Sequence, residues 1–159
     1  MLDFIQINLN KINLNKISWR RIYLRGYQYV YRKRKRIILY YTLQHGILGE
    51  FGCFITSVGS WWGTETIVNA DGEKKGQSAD IDVVALSEIE KKAVVGESKF
   101  KNEKIDRGVY ETLLRRANVL SSKYTITKYM LFSLSGYTKW FDDLKDNRVR
   151  RISLDDMYQ

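Results

Sequence analysis

Hydrophobic residues recur along this chain with two different periods, and the switches between them mark the elements. Residues 1–18 alternate Ile, Leu and Phe with Asn, Gln and Lys, which fits a loose strand or a poorly ordered tail. Tyr27–Gln44 contains neither Gly nor Pro and predicts a helix, stopped by His45-Gly46. Gly49 to Gly52 then turns the chain into Cys53–Val58, expected as the first core strand. The segment Gly59-Ser60-Trp61-Trp62-Gly63 and the polar residues after it, with Asn69-Ala70-Asp71-Gly72 and Lys74-Lys75-Gly76, read as a loop or hairpin tip. Ala79–Leu86 and Ala93–Phe100 are β-patterned runs joined by the short charged stretch Ser87–Lys92, an antiparallel hairpin.

A helical period returns after Asp106. Val109, Tyr110, Leu113, Leu114, Ala117 and Leu120 fall on one face, Asp106 is placed to cap it, and the helix is expected to end near Ser122. Lys128–Leu134 predicts an apolar strand, Tyr137–Lys145 a short amphipathic helix, and Val149–Leu154 a last strand. The order α-β-β-β-α-β, continued by α-β, is that of an α/β fold with a mixed central sheet flanked by helices.

Composition narrows the class. A chain of 159 residues, 44% hydrophobic and 28% charged, has the length of one ordinary domain and enough apolar side chain for a core. Cys53 is the single cysteine and His45 the single histidine, so a disulfide-stapled domain and a four-ligand zinc site are both excluded. No window approaches the roughly 18 apolar residues of a membrane span. The expectation is a cytoplasmic protein with no membrane partner.

Charge divides the chain in two. Residues 1–40 hold ten Lys or Arg and one acid, Asp3, and so account for the whole formal charge of +9. We therefore separate a basic, low-diversity segment, 1–39, from a domain over 40–159. The run Arg32, Lys33, Arg34, Lys35 and Arg36, with tyrosines just before it, has the composition of a phosphate-binding arm whose rings stack on bases. The competing reading is a compositionally biased, solvated segment.

The chemistry-bearing residues lie on the hairpin. Asp80 and Asp82 stand two apart, as do Glu97 and Lys99, so each pair is expected on one side of its strand. Pairing of the strands across Ser87–Lys92 brings Asp82 opposite Glu97. Two carboxylates and the backbone carbonyl of Ser98 suit a hard cation, Mg2+ or Mn2+, which keeps waters and leaves room for a phosphate. Lys99 beside them would orient the attacking water and offset charge on the phosphate. The alternative is the polar face of a half-exposed hairpin, with ion pairs worth at most about 1 kcal/mol. Against it stands the apolar company of these acids, Val83, Val84, Ala85, Val94 and Val95.

Taken in order, Gly59-Ser60-Trp61-Trp62-Gly63, Asp80-Ile81-Asp82-Val83-Val84-Ala85 and Gly96-Glu97-Ser98-Lys99-Phe100 resemble the PD-(D/E)XK nuclease superfamily. More narrowly they resemble the domain of unknown function at the C-terminus of archaeal-type AAA ATPases, over roughly residues 40–158. The resemblance implies a restriction-endonuclease-like core, Asp82 and Glu97 as metal ligands, Lys99 as the water-positioning residue, DNA as substrate, and a separate ATPase as a possible partner. Ser98 and Phe100 stand where that family tends to have Cys and Trp. Its first helix usually carries a Phe-Glu pair, whereas this chain has Arg34-Lys35-Arg36-Ile37-Ile38-Leu39. Two functions are thus expected to compete: a metal-dependent nuclease-like domain, and a non-catalytic nucleic-acid-binding or regulatory module on the same fold.

Overall fold

The computed structural model describes residues 2–3 and 27–158, with side chains from residue 35 onward. The expectation for residues 1–18 falls almost wholly outside the described residues, as do the side chains of Arg32, Lys33 and Arg34. Among the described residues the elements are β1 (Leu2–Asp3), α1 (Tyr27–Ile47), β2 (Ser57–Val68), β3 (Lys74–Ser87), β4 (Lys92–Lys99), α2 (Arg107–Ala117), β5 (Thr125–Ser133) and β6 (Val149–Ser153). Short 3-10 turns cover Lys139–Asp142 and Asp155–Tyr158. No helix among them is long and apolar enough to cross a membrane.

The strands form one mixed sheet in sequence order, β1 to β6. β1, β2, β3 and β4 pair antiparallel, and β4, β5 and β6 pair parallel. This is the α/β architecture expected from the periodicities. Residues Ile81–Ser87 of β3 are all buried because both faces of the sheet are covered, which is why this stretch reads as a continuous apolar run. On one face Val83, Ala85, Val94, Met130, Phe132 and Ile152 pack under Ile38, Leu39, Tyr41 and Leu43 of α1. On the other, Ile81, Val84, Leu86, Ala93, Val95 and Leu131 meet Tyr110, Leu113 and Ala117 of α2. Asp106 caps α2 as expected, its carboxylate accepting from the Val109 N–H at 3.1 Å.

Three local expectations are corrected. The Gly59–Gly63 segment is the middle of β2, and the hairpin turn comes later, where Gly72 takes a φ of 80°. Cys53 and Ile55 are buried, yet they precede the strand. Tyr137–Lys145 makes only the 3-10 turn at Lys139–Asp142. The Tyr137 hydroxyl donates toward the carbonyls of Leu131 and Ile152 and accepts from the Ile152 N–H, tying the start of this segment to the sheet.

A candidate acidic site at the end of the β3–β4 ladder

One irregularity in β3 positions the site. Gly59 pairs with Val84 but Trp61 pairs with Ile81, so Ser60 faces two residues, Asp82 and Val83. This is a β-bulge, and it explains why Ile81 and Val84 pack on the α2 side while Val83 and Ala85 pack on the α1 side. The Ser60 hydroxyl donates to the bulged Asp82 carbonyl at 2.9 Å.

Beyond the bulge the ladder changes character. The last backbone pair of β3 and β4 is Val83 with Gly96, and an added Cβ at Gly96 would sit 3.1 Å from the Met130 carbonyl, so β4 and β5 approach closely there. Past that pair the Asp82 side chain takes over from the backbone. Its Oδ2 accepts from the Ser98 N–H at 3.0 Å and from the Ser98 hydroxyl at 2.6 Å. Its Oδ1 lies 3.8 Å from Nζ of Lys35 on α1. Asp82 is the one buried charged residue among those described.

Glu97 continues the row of Ala93 and Val95 on the α2 side, and Lys99 follows it by the same alternation. Among the described residues no hydrogen bond reaches the Glu97 carboxylate. Burial, reinforced by the negative charge of Asp82, pushes its carboxyl up to about 7, with Lys99 pulling the other way. The charge of Asp82 thus acts on Glu97, although Asp82 reaches toward α1 and Glu97 lies on the α2 side. Asp80 is more exposed and engages a different layer, its carboxylate and carbonyl taking NH1 of Arg116 on α2 at 3.2 and 2.8 Å. Arg116 also opposes the charge of Glu97.

The structure also shows what sequence reasoning missed. Lys35, singled out as a nucleic-acid contact, points its charge at Asp82, while Arg36 is exposed. Glu111, the acid nearest Arg115 on its own helix, pairs with Arg107, and Arg115 forks onto Glu65 of β2 at 2.8 and 3.2 Å. Trp61 packs in the α2-side core, whereas Trp62 is 43% exposed. Gly49 and Gly52, both at positive φ, fold the chain back so that Glu50 meets His45 Nδ1 at 2.9 Å and Arg150 at 3.3 Å, beside a depression of about 250 Å³ lined by Tyr41, His45, Arg150, Arg151 and Asp156. Glu50 thus spends its charge there. Among the described residues no three His, Cys, Asp or Glu side chains converge as a metal cluster.

Two carboxylates still match one class of ion. Mg2+ keeps several waters and is commonly held through one or two carboxylates, the remainder of its shell being substrate phosphate. A half-buried carboxylate with no donor, next to a buried one, has the donor chemistry for such an ion.

Comparison with known proteins gives a family. Residues 1–111 match the family model DUF234, archaea bacterial proteins of unknown function. No curated protein and no solved structure matches the chain.

Proposed function

Because the chain belongs to the DUF234 family, archaea bacterial proteins of unknown function, we propose its activity from the site itself: divalent-metal-dependent hydrolysis of DNA phosphodiester bonds by a PD-(D/E)XK-like centre. The observation that carries this reading is Glu97, a half-buried carboxylate without a hydrogen-bond donor among the described residues, under the negative charge of Asp82. A structural acid in that position would be expected to have acquired donors.

Asp82 and Glu97 would hold Mg2+ or Mn2+, with the Ser98 carbonyl as a third oxygen. Ser98 supports this by fixing Asp82 through its N–H and hydroxyl. The ion, when bound, supplies neutralisation of phosphate charge and an acidified water. Lys99 extends from the same side of β4 as Glu97, where its Nζ–H groups would hold the attacking water in line with the phosphorus and balance charge on the non-bridging oxygens. The water's oxygen bonds to phosphorus, the bond to the leaving sugar oxygen breaks, and that oxygen takes up a proton. Arg32 to Arg36 would add salt-sensitive affinity for the backbone of DNA. A separate ATPase partner is part of the same proposal.

A second reading, a non-catalytic nucleic-acid-binding or regulatory module, is favoured by one observation: α1 brings an ammonium, Lys35, to Asp82 rather than a carboxylate. The deciding experiment is cleavage of supercoiled, linear and single-stranded DNA with Mg2+ or Mn2+, an EDTA control and the Lys99→Ala variant. Metal-dependent cutting that disappears in the variant supports the nuclease. Salt-sensitive DNA binding without any cutting supports the module.

A further inference from the structure

We propose that the free edge of β3 pairs with the same edge of a second copy of this chain, antiparallel about a two-fold axis at Gln77. β2 and β3 pair along the whole length from Val68 and Lys74 to Ser57 and Leu86, but β4 pairs only with Val83–Ser87. Residues 74–82 of β3 therefore have no strand on that side among the described residues. Arg116 NH1 donates to the Asp80 carbonyl at 2.8 Å, so this carbonyl points away from β2. By the alternation of an antiparallel ladder, the backbone N–H and C=O groups of Ser78, Gly76 and Lys74 point the same way. They are the groups that a further strand would use. This edge lies outside the acidic site and its role does not depend on that site.

Charge selects the occupant and the register. The edge reads Lys74-Lys75-Gly76-Gln77-Ser78-Ala79-Asp80, with a base at one end and an acid at the other, so it is complementary to itself when reversed. An axis at Gln77 sets Lys74 against the partner's Asp80 and Gly76 against the partner's Ser78, all of them residues whose backbone groups face the joint. Asp80 keeps Arg116 on its carbonyl and still offers its N–H and a carboxylate whose side chain is 62% exposed. Opposite charges facing each other across strands stabilise the pairing, and like charges oppose it. On the α2 side Lys75 meets the partner's Ala79, and Gln77, which already donates to Glu65, meets its own copy, so no like charges face each other there. Other axes do worse. One at Lys75 sets that lysine against itself, one at Gly76 leaves Lys74 opposite the partner's Ser78, and one at Ser78 drives Lys74 onto the partner's Asp82, whose carboxylate is already bound to Ser98. A joint of two short strands is smaller than a standard interface of about 1,200–2,000 Å², so the dimer is weak and reversible, with a Kd of about 10–100 μM.

The test is sedimentation velocity of the full chain from about 5 to 500 μM, in wild type, Lys74→Glu, Asp80→Lys and an equimolar mixture of the two variants. Wild type is expected to pass from monomer to dimer and each variant to stay monomeric. The mixture is expected to dimerise again, because a pair of unlike variants restores opposite charges at both ends of the joint. Residues facing each other without mutual hydrogen bonds in an antiparallel ladder stand close enough for a disulfide, so oxidised Gln77→Cys is expected to cross-link to its own copy and Lys75→Cys is not. A wild-type chain that stays monomeric throughout would overturn the proposal and leave Lys74 and Lys75 as guards of an unused edge. A dimer indifferent to both charge reversals would also overturn it, as would a monomeric mixture of variants that melt like wild type. If Asp80→Lys lowers the melting temperature by freeing Arg116, the Gln77→Cys cross-link decides: its formation supports the joint and its absence overturns it.

Discussion

Glu65 and Glu97 are two partly buried glutamates on the same sheet, both within the field of Arg116, and they have opposite character. Glu65 on β2 accepts a forked pair of hydrogen bonds from Arg115 and a third from Gln77, with Arg116 Nε 3.6 Å away. Those donors outweigh desolvation and hold its carboxyl down to about 2. Glu97 on β4 has the same arginine nearby but no donor among the described residues, and Asp82 beside it, so burial wins and its carboxyl rises to about 7. One carboxylate is complete as structure. The other is left incomplete at a place where an external cation would complete it.

The comparison is broken most strongly at Glu65. Replacing it by Gln leaves Arg115 without its fork while Arg116 keeps Asp80, and we expect a loss of about 2 kcal/mol in urea unfolding, discounted because Arg115 is half exposed. A change below about 0.5 kcal/mol would mean that the fork contributes nothing measurable. The same pair predicts the acid limb. A lowered carboxyl stabilises above its unfolded value and the gain is lost as pH falls toward 2, a limb shared by Asp146, also held near 2 by Arg148.

The next effect has the opposite sign. Glu97→Gln is expected to stabilise the metal-free protein by about 2 kcal/mol at pH 8 and to change nothing at pH 4, because a carboxyl raised to about 7 stabilises below its unfolded value and the gain disappears as pH rises through 7. Melting curves from pH 4 to 9 check this. A wild-type protein as stable at pH 8 as at pH 5, relative to the variant, would contradict the burial of the charge. Added Mn2+ should remove the difference at pH 8 in wild type only, since a bound cation completes Glu97 and has nothing to complete in the glutamine variant.

The smallest effect belongs to a site with no functional claim. Asp106→Ala should cost about 1 kcal/mol through the lost cap at Val109, with no influence on Mn2+ binding or on the pH 8 limb. An effect on metal affinity from this remote cap would show that the hairpin site is coupled to α2 as a whole.

Features set by short-range periodicity were legible beforehand. The apolar stripe and acidic cap of α2 need only residues three or four apart, and the valine-rich hairpin needs only alternation and a turn. The extension of β2 through Gly59-Ser60-Trp61-Trp62-Gly63 was not legible, because glycines that signal a turn locally are overruled by a full ladder of pairs with β3. The partner of Arg115 was not legible for a related reason: Glu111 is the nearest acid along the helix, but Glu65 arrives from another strand with a better fork.

By itself, then, the order of amino acids determined the α/β class, the hairpin carrying Asp82, Glu97 and Lys99, and the concentration of basic charge in the first forty residues, since each is a property of spacing or composition. Tertiary structure alone decided which charges are compensated. Whether a carboxylate meets Arg115, Ser98, Lys35 or no donor at all depends on which layers the fold brings together, and the bulge opposite Ser60 aims Asp82 at α1 while Glu97 faces α2. Charge interactions act through space and not along the chain, so the same residue type ends as a strut at position 65 and as a site at position 97.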